Sequence, residues 1–133
     1  MPDPGLPLSP QGRILVAEDE PHIRRILVTL LEAHGFQVDQ AETGAEALRY
    51  LEGDTLYQAA LMDIMMPAYT GLEVLEKVRP LPHRKDLPIV ILTAKGQDAD
   101  REEAFSLGAS EFVTKPFSPK KLIVRIHQLL GQP

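Results

Sequence analysis

The 133-residue chain is 44% hydrophobic and 25% charged, ordinary for one globular domain with a core of its own. It has no cysteine, which excludes a disulfide framework and any thiolate metal site, and its formal net charge of −5 argues against the clustered Lys and Arg of a nucleic-acid footprint. No apolar stretch approaches the length needed to cross a bilayer, and the opening MPDPGLPLSP lacks the basic start and apolar core of a signal peptide, so a cytoplasmic location is expected. Residues 1–12, proline-rich, read as a flexible tail. Arg13 to Ala17 is a compact apolar run, consistent with a buried strand. Pro21 suits the first turn of a helix whose face is Ile23, Ile26, Leu27, Leu30 and Leu31 and which ends at His34-Gly35. Phe36 to Gln40 alternates as a half-wet strand. Thr43 and Glu46 have capping-box spacing and open a helix that closes near Gly53. Ala59 to Met62 is a second continuous apolar run, followed by a short helix marked by Leu72, Leu75 and Val78. Pro88 to Leu92 is the clearest strand. A helix from Asp98 to Leu107 stops at Gly108, and Glu111 to Thr114 is a short mixed strand. Ser118-Pro119 opens the last helix, faced by Leu122, Ile126, Leu129 and Leu130.

Five strands alternating with five helices predict an α/β fold with a parallel sheet. The first, third and fourth strands are apolar throughout and so belong at the centre; the second and fifth are mixed and belong at the edges. That texture fits the flavodoxin-like doubly wound (βα)5 fold, a five-stranded parallel sheet in the order 2-1-3-4-5. Such sheets bind ligands beyond the carboxyl ends of their strands, near the point where strand order reverses. Glu18, Asp19 and Glu20 follow the first strand, Asp63 the third, Thr93, Ala94 and Lys95 the fourth, and Lys115-Pro116 the fifth. Three acids, Glu18, Asp19 and Asp63, are therefore expected to converge. Like charges at close range raise a pKa or demand a cation, and Mg²⁺ with oxygen ligands suits one or two carboxylates plus exchangeable waters. Lys115 supplies a positive charge for a phosphoryl oxygen, Thr93 a hydroxyl, and Ala94 the room for an incoming group.

From Arg13 to about Leu130 these pieces (ILVAEDE, LMDIMMP, ILTAK and TKPF) resemble the receiver domain of bacterial two-component response regulators. The resemblance implies a signalling phosphoacceptor, not an enzyme, that takes a phosphoryl group on Asp63 from a sensor histidine kinase, a phosphotransfer protein or a small acyl phosphate. It implies Mg²⁺, for which Mn²⁺ can substitute. Asp19, Asp63 and the backbone carbonyl of Met65 would be direct ligands, and Glu18 would act through a water. Thr93, Ala94 and Lys115 would contact the phosphoryl group, Thr93 and Phe112 would form the conformational switch, and Lys115-Pro116 would be a cis peptide. The domain would span residues 13–130, with 131–133 as its C-terminal end. Partners would be the kinase and a downstream protein or a missing effector domain, with no direct nucleic acid and no membrane. A homodimer through the last two helices is left open, because Gly108-Ala109-Ser110-Glu111 departs from the acidic run of the winged-helix regulators; Glu111 and Arg125 remain to form ion pairs on that face. Glu18 stands where Asp is more frequent, Gln58 where an acid is common, and Met65 sits beside the expected phosphate. Competing readings are a flavin-binding electron carrier, an Asp-nucleophile phosphatase and a receiver-like module that is never phosphorylated.

Overall fold

The computed structural model describes residues 12–94 and 98–131, with the side chain of Asp98 left aside. The expected tail up to Gln11, Lys95 and the last two residues lie outside the described residues. Ten elements alternate along the chain: β1 (Arg13–Ala17), α1 (Pro21–Ala33), β2 (Gln37–Ala41), α2 (Gly44–Glu52), β3 (Ala59–Asp63), α3 (Gly71–Val78), β4 (Ile89–Thr93), α4 (Asp98–Ser106), β5 (Glu111–Thr114) and α5 (Pro119–Leu129). The strands form one parallel sheet in the order β2-β1-β3-β4-β5, as the apolar texture predicts.

Strand alternation sends successive side chains to opposite faces, so the core divides in two. Leu15, Ala17, Ala60, Met62, Ile89 and Ile91 meet α2 and α3 through Ala47, Leu51, Val74 and Leu75, and α4 through Ala104. Ile14, Val16, Leu61, Val90 and Leu92 meet α1 through Leu27 and Leu31, and α5 through Leu122, Ile123 and Ile126. Burying one such side chain is worth roughly 1.5–3 kcal/mol, and the two layers together make the rim a rigid platform.

Three strands shift or lengthen by one residue. Phe36 donates its N–H back to the Leu31 carbonyl at 3.1 Å, so β2 starts at Gln37. Pro88 has no N–H to give the ladder, and β4 runs Ile89–Thr93. β3 continues to Asp63, which pairs with Leu92. The Thr43 hydroxyl caps Glu46 N at 3.1 Å, but the Glu46 carboxylate accepts from Glu42 N instead of closing a box on Thr43. The reciprocal box is at α3, where Thr70 and Glu73 each accept the other's backbone N–H.

Two glycines let the loop after β3 close tightly. A Cβ on Gly71 would lie 2.2 Å from the Asp63 carbonyl, and one on Gly44 would lie 2.0 Å from the Tyr69 carbonyl. Between them Ala68 sits at φ 72°, a left-handed conformation that costs an L-residue about 1–2 kcal/mol relative to glycine. Ala68→Gly is therefore expected to raise stability by about 0.5–1 kcal/mol, after the entropy glycine gains in the unfolded chain. A urea titration in which the variant is less stable than the parent would show the turn is not strained.

Candidate phosphoacceptor and cation site

β1 and β3 are neighbours, with Ala17 opposite Met62, so the residues following them emerge side by side at one rim. Glu18 N donates to the Ala41 carbonyl at 3.0 Å, which continues the β1 ladder one step and turns the next residues over the sheet edge. Glu18, Asp19, Glu20 and Asp63 then bring one carboxylate oxygen each to within 4.8 Å of one another. Glu18 and Asp63 are buried, whereas Asp19 and Glu20 face solvent.

Lys115 reaches in from just past the end of β5, and the peptide that joins it to Pro116 is cis. Its Nζ lies 2.5 Å from Asp63 Oδ2, 2.7 Å from Glu18 Oε2 and 3.6 Å from Glu20 Oε1. The other Asp63 oxygen, Oδ1, accepts the Met65 N–H at 3.1 Å. One ammonium thus meets three carboxylates of a cluster of four, and the imbalance shows in the titration of the group least able to reach water. Burial, helped by nearby Asp63 and opposed by the Lys115 hydrogen bond, pushes the Glu18 carboxyl up to about 7. Burial pulls the Lys115 ammonium down, but the hydrogen bonds it donates to Asp63 and Glu18 outweigh this and hold the pKa above the usual lysine value. Surplus negative charge, oxygen donors only and a half-open rim form a donor set that suits a hard divalent cation.

Of the residues singled out in the sequence, Glu18, Asp19, Asp63 and Lys115 are gathered here. Thr93 ends β4 fully buried, and Ala94 is exposed just beyond it. Phe112 lies in β5, directly paired with Ile91, with 5% of its surface exposed. The Arg101 guanidinium of α4 stands 5.9 Å from its ring. Glu111 and Arg125 pair with each other within the chain. Two participants were missed by sequence reasoning. Glu20 completes the carboxylate cluster, although its place right after Asp19 was visible. The Glu18 contact to Lys115 was not foreseen, because it depends on how far the lysine reaches across the sheet from β5 to β1.

Comparison with known proteins gives the family. The family model for the response regulator receiver domain matches residues 14–127. The chain belongs to that family. As a receiver domain of two-component systems it falls outside the flavin-carrier and Asp-nucleophile phosphatase readings. It is 41% identical over 121 residues to the transcriptional regulatory protein ResD of Bacillus subtilis, covering 90% of this chain and 48% of ResD. The receiver domain therefore spans about half the length of the curated relatives it matches. Among solved structures it resembles a CheY-like receiver domain protein from Methanospirillum hungatei (TM-score 0.84, 29% identity, 90% of this chain and 94% of that one). It also resembles the receiver domain of sensor histidine kinase PA1611 from Pseudomonas aeruginosa, solved with a magnesium ion coordinated in the active site cleft (TM-score 0.82, 28% identity, 90% and 98% covered). No helix among the described residues is long and apolar enough to cross a membrane.

Proposed function

We propose that this receiver domain, residues 13–130, accepts a phosphoryl group on Asp63 in a Mg²⁺-dependent reaction and passes the signal on by changing shape. One observation carries the reading: Asp63 stands at the end of a central strand, with one oxygen on Lys115 and the other on a backbone N–H, inside a cluster of four carboxylates. Its carboxylate attacks phosphorus in line. A P–O bond forms, and the P–N bond of a phosphohistidine or the P–O bond of a small acyl phosphate breaks, the leaving group keeping the electron pair. Lys115 then meets the negative charge brought to Asp63, the Thr93 hydroxyl donates to a phosphoryl oxygen, and the small Ala94 leaves room for it. Asp19, Asp63 and the Met65 carbonyl would hold Mg²⁺ or Mn²⁺ directly, and Glu18 through a water; the bound ion supplies charge neutralisation at the phosphoryl oxygens.

Thr93 and Phe112 form the switch in this reading. Phe112 is buried before phosphorylation, and phosphate contacts made in one state only shift the balance at α4, β5 and α5. The partners are a sensor histidine kinase or phosphotransfer protein upstream and a separate protein or attached effector domain downstream, in the cytoplasm. A homodimer through α4 and α5 would add contacts on the face that carries Glu111 and Arg125.

Mass spectrometry after exposure to acetyl phosphate and Mg²⁺ tests the proposal. One added phosphoryl group is expected, lost with chelator and lost in Asp63→Asn. Equal modification of Asp63→Asn would place the acceptor elsewhere.

A further inference from the structure

The Asp19 carboxylate is exposed, and among the described residues no group bonds to it, so its direction is set by the backbone on either side. The Glu18 carbonyl is held by a side chain of α1, and the Glu20 carbonyl by the first backbone bond of that helix. Arg24 donates its backbone N–H to the Glu20 carbonyl at 2.9 Å and its Nη1 to the Glu18 carbonyl at 2.8 Å. The remaining guanidinium donors reach the far side of the turn: Nε meets Gln40 Oε1 at 3.3 Å on β2, and Nη2 meets Glu42 Oε1 at 3.1 Å just after it. The side chain is only 13% exposed although it sits at the surface of the sheet edge.

A planar guanidinium with a fixed fork of donors can hold three acceptors at set angles, which a lysine cannot do. Here it ties the acidic turn to the end of β2. Its charge points at a carbonyl and at Glu42, not at the carboxylate cluster, so its effect on the cluster travels through the backbone.

We infer that Arg24 is a positioning residue for the cation: it fixes the Glu18-Asp19-Glu20 turn so that Asp19 faces the Asp63 carboxylate before the ion arrives. This rests on the phosphoacceptor reading above. Groups that orient metal ligands commonly contribute 10- to 100-fold in affinity or activity. Loss of Arg24 therefore raises the Mg²⁺ concentration needed and leaves the chemistry at saturating Mg²⁺ near normal.

The test compares the parent with Arg24→Met, Arg24→Lys and Arg25→Met. Arg25 is the exposed neighbour on α1, and its substitution removes the same charge. The readout is the rate of phosphorylation by acetyl phosphate across a Mg²⁺ series, with Mg²⁺ binding by calorimetry alongside. For Arg24→Met, half-saturating Mg²⁺ should rise about tenfold, and the rate at saturation should stay within about threefold of the parent. Arg24→Lys should fall between, and Arg25→Met should match the parent. If Arg24→Met does not stay folded, Arg24→Lys carries the test, because it keeps the stem and the charge. Unchanged Mg²⁺ dependence in a folded Arg24 variant, or an equal shift in Arg25→Met, overturns the inference. A parent that takes no phosphoryl group at Asp63 overturns the underlying reading instead, and the calorimetric Mg²⁺ affinities still judge Arg24.

Discussion

Lys115→Met is expected to slow phosphorylation of Asp63 by about 100-fold or more, and to make the metal-free protein's stability depend steeply on pH. The rate loss follows from removing a preorganised positive charge aimed at the acceptor, an effect that typically costs 10²–10³ in rate. Lys115 Nζ is the group closest to Asp63 Oδ2, at 2.5 Å, and nothing else among the described residues offers a cation to that oxygen. The stability loss follows from what remains behind. The side chains of Glu18 and Asp63 are 0% and 4% exposed, and breaking a buried pair by deleting one partner costs about 3–5 kcal/mol when the other stays charged.

Glu18 can escape that cost by taking a proton, and this fixes the sign of the pH dependence. Its folded-state pKa is raised to about 7, so its contribution to stability is complete below the unfolded carboxyl value near 4.5 and is lost as pH rises through 7. Lys115 also has a raised pKa, and its contribution is lost only above the ordinary lysine range, so it adds no slope in this window. In chelator the parent should therefore melt lower at pH 8 than at pH 5, by roughly 5 °C. In Lys115→Met the Glu18 carboxyl loses the hydrogen bond that restrains it, and the penalty relative to the parent should grow from about 1 kcal/mol at pH 5 to about 3 kcal/mol at pH 8. Saturating Mg²⁺ should recover much of it at pH 8 and little at pH 5, where binding must first displace a proton. A penalty independent of pH would mean that Glu18 is not the group left exposed to the loss.

The sheet order was legible in the sequence because burial on two faces leaves continuous apolar runs, as in ILVA and AALM, whereas Gln37, Asp39 and Gln40 mark β2 as an edge. The rim was legible because a strand ending in an acid, a hydroxyl or a lysine needs no side-chain geometry to be placed at the carboxyl end. What was not legible depends on contacts across the fold. Glu18 lies fully buried against Lys115, a contact set by how far β5 carries the lysine over β1. The Thr70-Glu73 box was overlooked because the α3 apolar pattern was read only from Leu72. Arg24, Arg79 and Arg84 escaped notice for a shared reason: key partners of each are backbone carbonyls, which leave no complementary residue type in the sequence.

Arg84→Met should lower the folding stability by about 3–4 kcal/mol while leaving Mg²⁺ binding and phosphorylation of the folded fraction unchanged. Arg84 is 2% exposed in the connection between α3 and β4. Its Nε donates to the Leu51 carbonyl at 2.8 Å, and its Nη2 donates to Gly53 at 3.0 Å and Thr55 at 2.8 Å. These carbonyls close the last turn of α2 and the loop into β3, where a positive charge is favoured by the helix dipole. Its guanidinium also lies 5.2 Å from the Tyr57 ring, whose hydroxyl donates to Asp39 Oδ2 at 2.6 Å. Methionine can fill the stem's volume but offers no donor, so the buried Leu51 carbonyl and the Thr55 carbonyl lose the arginine, while the Gly53 carbonyl keeps His83 Nε2 at 2.9 Å. Arg84→Lys should recover roughly half of the loss, since an ammonium reaches one or two of them but cannot match the fork. The function should survive because this cluster sits at the amino end of β3, and Asp63 ends the same strand on the opposite rim. A urea titration should show a lower midpoint with an unchanged slope. A loss under about 1 kcal/mol would show that water satisfies these carbonyls without the arginine, and a changed Mg²⁺ affinity in the folded variant would show that the two rims are coupled through the sheet.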